Sequence, residues 1–296
     1  MRGGSLVAAA SELGISPAAV GQRIKALEDY LGAELVLRGR SGIRPSQALA
    51  DALPDLATGF AELARAAGAL EMQRGQELHL VGPPDFLDLW LKPRLPAFQR
   101  RLPAISFNLN GEGEAPLRIG RADCRISFGP TENDPAGQML FHDFVLAVGS
   151  PANVSRTSAL PTASRLEGFP LLHVDFYKDD AAGLGWQDWT RRHGLQRTAP
   201  ERGIRFRRIA AAIDSVLADA GFALSGVALL RPLLDDGRLA LPYAATMGSW
   251  SAGAFTASFA GDWPRRAPLR AFREWLLAEA ADTRDWLEAL ASEVQA

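Results

Sequence analysis

Gln22 and Lys25 are the residues whose types and spacing best suit a chemistry. A side-chain amide and an amine three positions apart on one helix face can bond base edges and pair with phosphates in a DNA major groove. Around them runs GSLVAAASELGISPAAVGQRIKALEDYLGAELVLR, from Gly4 to Arg38. It reads as two helices joined by a tight turn. Ala8, Ala9, Ala10 and Leu13 carry the first, and Gly14 stops it. Ser16 then serves as N-cap and Pro17 as first helical residue, where a missing N–H costs nothing. Val20, Ile24, Leu27 and Leu31 form one buried stripe at spacings of four, three and four. The opposite face carries Ala18, Gln22, Lys25 and Asp29, with Gly21 to one side. An ordinary helical hairpin is the alternative reading of this stretch.

Residues for catalysis are harder to assemble. The four histidines, His79, His142, His173 and His193, are scattered, and no GxSxG, HExxH, GxxxxGK or GxGxxG occurs. His193 ends a helix, where a cation suits the dipole. Asp179-Asp180 and Asp235-Asp236 are paired carboxylates, but in polar runs they read as solvated. Non-enzymatic function without cofactor or metal is the expectation.

The chain has 296 residues, enough for two or three domains. Its formal net charge is -2, so affinity for phosphate must come from local patches. Between Ser16 and Ser46 stand five cations (Arg23, Lys25, Arg38, Arg40, Arg44) and three anions (Glu28, Asp29, Glu34). No acid separates Arg38, Arg40 and Arg44. A single cysteine, Cys124, excludes an intrachain disulfide framework and reads as a small core residue. No signal peptide or long apolar run is visible, which predicts a cytoplasmic protein with no membrane partner.

The elements that position these residues follow in order. Leu35 and Leu37 alternate before a bend at Gly39 to Gly42, predicting a short β-wing. Ser46 can cap the next helix. There Leu49, Leu53, Leu56, Phe60, Leu63, Ala67 and Leu70 repeat at four and three, a heptad seam that calls for a partner helix. Packing on its own effector domain is the alternative. Pro54 should bend this helix. Met72 to Gln76 is a polar hinge, and parallel α/β construction follows. Strands are expected at 77–81, 105–109, 123–128, 139–141, 144–148, 170–174, 203–206, 222–224 and 238–241. Helices are expected at 85–102, 117–121, 185–193 and 208–220, and the strands at 222–224 and 238–241 flank 227–234. The polar stretch 150–164 reads as a connection to a second lobe. The chain crosses back at 252–259 and ends in a helix, 269–293, broken near Asp282. Its Trp275 and Trp286 read as packing.

The opening stretch resembles the helix-turn-helix of LysR-type transcriptional regulators. Gly4-Ser5, Ala8 to Ala10, Leu13, Ile15-Ser16, Ala19-Val20, Ile24, Leu27-Glu28, Leu31-Gly32 and Leu35 match in order and spacing. The wing and heptad helix follow in the family's order. Farther on, WLKPRLPAFQ from Trp90, PLLH from Pro170 and GRLALP from Gly237 resemble its glycine-cleavage-activator-like subgroup. The resemblance implies an α-helical winged helix-turn-helix, a linker helix, and an α/β effector domain of two periplasmic-binding-protein-like lobes. The division is residues 1–45, 46–75 and 76–296, with lobe I at about 76–160 and 252–296 and lobe II at about 161–251.

What the resemblance implies about function is a sequence-specific DNA-binding regulator controlled by a small effector held between the lobes. Ser16, Pro17, Ala18, Gly21, Gln22 and Lys25 would meet the groove, and Arg38, Arg40 and Arg44 the phosphates. Leu49, Leu53, Leu56, Phe60, Leu63 and Leu70 would join copies into a homodimer or homotetramer. Effector binding would shift the recognition helices and so promoter bending and access of RNA polymerase. The cleft loops would supply Pro83, Pro84, Asp85, Phe86, Phe128, Gly129, His173, Phe206, Arg207 and Arg208. Family members often have Ser or Thr where this chain has Pro83-Pro84-Asp85, and Asp and Ser where it has Arg207-Arg208. An acid at 85 argues against a carboxylate bound in the usual way. The two arginines either hold an acidic ligand by bidentate bonds or point to solvent. Family members also carry an apolar helix before Gly4, so the chain as numbered is expected to lack part of this domain. A ligand sensor that no longer binds DNA, a cleft-bearing enzyme and a transporter's solute-binding protein are the alternatives.

Overall fold

The computed structural model describes residues 10, 16–39, 42–71, 76–114, 121–133 and 137–292. The chain forms two compact units, Met1–Glu77 with Glu112–Arg121, and Leu78–Gly111 with Ala122–Ala296. The helix expected before Gly14 lies outside the described residues except for Ala10, which is helical and buried. The helix expected at 117–121 lies outside them apart from Arg121.

In the first unit, helix α1 spans Pro17–Leu31. Ser16 caps it through a 3.2 Å bond accepted from the Ala19 N–H, with Pro17 in the first turn. Gly32 closes it at φ 64°, a left-handed value that only glycine adopts freely. Strands β1 (Val36–Gly39) and β2 (Gly42–Pro45) pair antiparallel as the expected wing. The Leu35 and Val36 N–H groups both donate to Glu28 Oε1, at 2.8 and 3.1 Å. One carboxylate thus ties the wing's entry to the helix. Helix α2 runs Gln47–Glu71, started by Ser46, whose Oγ accepts from the Leu49 N–H. Pro54 lies inside this helix, and the Thr58 hydroxyl donates to its carbonyl.

The second unit is built on one eight-stranded sheet in the order β4-β3-β5-β10-β6-β9-β7-β8. Its strands are β3 (Glu77–Gly82), β4 (Ser106–Gly111), β5 (Cys124–Gly129), β6 (Gln138–Val148), β7 (Leu171–Val174), β8 (Ile204–Phe206), β9 (Phe222–Gly226) and β10 (Ser249–Phe259). β3 runs parallel to β5, and β7 parallel to both β8 and β9. β10 and β6 are antiparallel to each other and join the two parallel halves. The core is apolar and aromatic, with Cys124 buried in it as expected.

Several elements differ from expectation. The two strands expected at 139–141 and 144–148 are one strand, because His142 and Asp143 find partners within the sheet. The polar stretch 150–164 holds helix α4 (Pro151–Ser158). Ser150 caps it, accepting from the Asn153 N–H at 3.2 Å. No strand forms at 238–241 beyond one bridge from Ala240 to Gly149. Within 227–234, which has no expected element, the short α7 (Arg231–Asp235) begins. The C-terminal helix α8 (Ala267–Ser292) is unbroken, since Asp282 pairs with Arg231 and Thr283 accepts from the Trp90 indole. The helix expected at 85–102 divides into a π-helical turn, Phe86–Leu91, and α3, Leu95–Arg101. Helices α5 (Trp186–Arg192) and α6 (Ile209–Leu217) fall where expected.

Trp90 and Arg94 of the WLKPRL run are structural. The Arg94 guanidinium lies 4.5 Å over the Trp90 ring and donates to the Trp90 carbonyl at 2.8 Å.

Removing the Glu28 carboxylate strands two half-buried backbone donors. Glu28→Ala should destabilise the wing by about 1–3 kcal/mol, read as faster amide exchange at Leu35 and Val36, while Glu28→Gln keeps one acceptor and loses less. Unchanged exchange in Glu28→Ala would remove the strut assignment.

Candidate functional site

The first unit presents a helix face and a wing. Val20 is buried and Ile24 half-buried, while Ala18, Gln22 and Lys25 are exposed and Gly21 is half-buried with open space beside its Cα. Leu27 and Leu31 depart from the expected buried stripe, at 48% and 53% exposure. The single chain does not cover that end of α1. Tyr30 at 86% and Leu37 at 46% are exposed as well. Arg44 is exposed on β2, whereas Arg40 and the side chain of Arg38 lie outside the described residues. On α2, Leu49 and Leu53 are half-buried and Leu56, Phe60 and Leu63 exposed, with the side chain of Leu70 outside the described set.

In the second unit, the loops after β3 and β8 meet. Asp85, 2% exposed, faces the N-terminus of α6. Its Oδ2 accepts from the Ile209 N–H at 2.8 Å. Its Oδ1 accepts from the Ala210 N–H at 3.1 Å and Arg208 Nε at 3.0 Å. Arg208 also donates from Nη2 to Asp88 Oδ2 at 2.5 Å. Burial opposes ionisation of Asp88, but bonds from Lys92 and Arg208 outweigh it and hold the carboxyl below its usual range. Of the two arginines, therefore, Arg208 is engaged with carboxylates of this chain and Arg207 is exposed.

Other expected cleft residues separate into groups. Phe86 is fully buried against Trp90 and Phe255, with ring centroids at 4.8 and 5.0 Å, and Pro83 is buried. Both support the site from within the core and offer no surface to a ligand. Phe128, half-buried, packs on Phe176 at 5.0 Å and Phe255 at 4.9 Å, beside Gly129. Phe206, also half-buried, pairs with Val174 in the sheet. His173 stands apart. Its Nε2 meets the Arg202 carbonyl at 3.2 Å, and burial pushes its pKa down despite that contact. It lines a hollow with Asp175, Lys178 and Arg205.

The join between the sheet halves contains residues that sequence reasoning missed. β10 pairs Trp250 with Phe144 but Ala254 with His142, so Ser251 to Gly253 stand opposite Asp143 alone. The extra amides need acceptors. Asp180 supplies them, taking the Ala252 N–H at 3.0 Å and the Gly253 N–H at 2.9 Å. That corrects the solvated reading of Asp180; Asp179 is exposed. Asp143 is fully buried. Its carboxylate accepts from the Phe144 N–H (2.8 Å), the Ala228 N–H (3.0 Å) and the Tyr177 hydroxyl (2.9 Å). Gly226 has no Cβ because one would fall 2.1 Å from Asp143 Oδ2. A charged residue inside the apolar run Leu140 to Val148 was the available signal.

The second unit is a two-lobed sheet with a small polar junction between its halves, and the first unit presents an exposed helix face. Residues 72–281 match the family described as LysR substrate binding domain. Residues 1–48 match that described as bacterial regulatory helix-turn-helix protein, lysR family. The chain is 28% identical over 281 residues to the glycine cleavage system transcriptional activator of Escherichia coli, covering 94% of this chain and 89% of that one. It is 30% identical over 285 residues to the HTH-type transcriptional activator AmpR of Rhodobacter capsulatus, covering 95% and 94%. The solved effector domain of the transcriptional regulator AmpR of Pseudomonas aeruginosa superposes with a TM-score of 0.55 at 25% identity, over 71% of this chain and 99% of that one.

Burial pushes the Asp143 carboxyl up to about 6, against the pull of the Ala228 N–H, the Tyr177 hydroxyl and the Phe144 N–H. Its ordinary value is 3.8. Between the two, the folded state keeps a proton that the unfolded chain has released. The contribution to stability therefore falls as pH rises from about 4 to about 6 and is level above that, a loss on the order of 3 kcal/mol. Asp143→Asn should abolish this term. The melting temperature of the variant relative to the parent should rise between pH 4 and pH 7, and parallel pH profiles would remove the assignment.

Proposed function

We infer the working of this chain from one premise: it belongs to the LysR family of bacterial regulatory helix-turn-helix proteins. It is a transcriptional regulator with a helix-turn-helix DNA-binding domain and a small-molecule effector domain, two-lobed and α/β. Within that frame we assign DNA binding to residues 1–45, a linker helix and hinge to 46–75, and effector binding to 76–296. The observation that carries the DNA assignment is α1 itself. Its Ser16-Pro17 start is capped, Val20 faces inward, and Ala18, Gln22 and Lys25 stand outward. Arg38, Arg40 and Arg44 of the wing are assigned to phosphates, which position the protein without specifying sequence.

The effector reading rests on the loops that converge at Asp85 and Arg208, with Pro84, Phe128, Gly129, Phe206 and Arg207 at the reachable edge. Self-association rests on α2, where Leu56, Phe60 and Leu63 at heptad spacing expose apolar surface that a second copy's helix covers. The working form is a homodimer or homotetramer in the cytoplasm, non-enzymatic, with RNA polymerase as the partner it regulates. Among the described residues no helix is long and apolar enough to cross a membrane.

Gln22→Ala should cost about 1–3 kcal/mol at the preferred site if Gln22 reads an adenine edge. Lys25→Ala should weaken binding to all sequences and flatten the salt dependence. Footprints and titrations unchanged in both variants would remove the recognition assignment.

The double variant Leu56→Lys with Phe60→Lys would place charges in the helix interface, a high desolvation cost. Light scattering should then report smaller particles with the effector domain still folded. Retention of the parental mass would show that the seam packs elsewhere.

A further inference from the structure

The N-terminus of α6 offers free backbone N–H groups and the positive end of a helix dipole, a ready seat for an anion. Asp85 occupies that seat. Its two oxygens take the Ile209 N–H, the Ala210 N–H and Arg208 Nε, and its side chain is buried. Asp85 comes from the loop after β3, in the sheet half that holds β4, β3 and β5. The α6 helix follows β8, at the far edge of the other half. The bonds therefore span the two lobes.

A second contact spans them independently. Phe128, at the end of β5, packs on Phe176, which follows β7, with centroids 5.0 Å apart. The cations at this junction are already matched: Arg208 bonds both Asp85 and Asp88, and Lys92 pairs with Asp88 at 2.5 Å.

We propose that Asp85 is a built-in carboxylate ligand of the cleft, which latches the two lobes together without any acidic small molecule. The latched arrangement is then the resting state of this regulator. A carboxylate-bearing effector can use the α6 seat only by displacing Asp85, and ligands that need no anion seat are the class that fits beside the intact latch. The inference deepens the effector reading of the cleft and rests on it. Its test needs neither DNA nor an identified effector, so the two fail separately.

The test uses the full chain, with formate as the probe and chloride at equal ionic strength as the control. Asp85→Ala removes the internal carboxylate and leaves a gap the size of a small acid. In chloride its Ile209 and Ala210 amides should exchange about tenfold faster than in the parent, or more, and its melting temperature should fall. Formate should restore both in the variant by mass action and leave the parent unchanged. Asp88→Ala loses an Arg208 partner but no α6 amide contact, so formate should not rescue it. If Asp85→Ala does not fold, Asp85→Asn keeps the shape and loses the charge, and the same two amides should exchange faster there. Exchange at Ile209 and Ala210 equal to the parent in the folded variant would overturn the latch. So would an Asp85→Ala chain that formate does not restore, or a parent chain that gains as much from formate as the variant.

Discussion

Ser251, Ala252 and Gly253 face one residue of the opposite strand, Asp143, and the joining of the lobes depends on how that mismatch is satisfied. A strand that carries surplus residues across a sheet leaves amides without ladder partners. A buried donor such as the Gly253 N–H costs about 1–3 kcal/mol unless something accepts from it. Asp180 accepts from two of them, and the Ser251 hydroxyl bridges the Asp143 N–H to the Gly253 carbonyl. The kink in β10 is thus held by side chains rather than by sheet pairing. Along the other strand, Asp143 receives donors from Ala228 and Tyr177, both in the second half of the sheet. β6 and β10 therefore join the two halves with Asp143 and Ser251 buried at the mismatch.

The same device recurs around the cleft. Asp85, Asp143 and Asp180 each direct a carboxylate at backbone N–H groups of a distant segment, at sequence separations of 124, 85 and 73. Backbone amides have fixed positions, so a carboxylate that meets two of them is oriented as well as stabilised. An arginine-to-acid pair on a surface would give far less definition, because both side chains keep their freedom. Glu28 repeats the arrangement in the first unit by taking the Leu35 and Val36 amides. In these four places an acid fixes the backbone.

Local signals were legible and distant ones were not. The Ser16-Pro17 start, Gly32 stop, wing and heptad helix could be read because each depends on neighbours within one turn or one hairpin. The same Ser-Pro signal stands at Ser150-Pro151, yet the surrounding composition of Asn, Ser, Arg and Thr read as a connection. Helix α4 is short and buries only Asn153 and Thr157 fully, so it shows almost no apolar stripe. β6 read as two strands because His142 and Asp143 interrupt its apolar run. Their partners, Ser251, Gly253, Ala228 and Tyr177, lie between 34 and 111 residues away. The loops after β3 and β8 do meet, but the choice between ligand contact and self-contact at Arg208 turned on Asp85, 123 residues earlier. Phe86 and Pro83 read as lining residues because a loop before a helix is usually accessible, and here the π-helical turn drives the Phe86 ring into the core.

A ligand shifts a two-state equilibrium only by its difference in affinity for the two states. Where an external acid supplies the bonds between lobes, closure costs the protein the concentration-dependent step of capturing that acid. Where Asp85 supplies them, the capture is intramolecular, and the effective concentration of the carboxylate is set by the covalent link through β3. An effector then acts against or beside a preformed closure. To move such an equilibrium from mostly one state to mostly the other it needs a differential affinity on the order of 10⁴. Effective ligands for this fold must reach between the lobes, where Asp85 and Arg208 already meet. On the proposed latch, selectivity follows from how well a molecule competes with, or complements, a single buried aspartate.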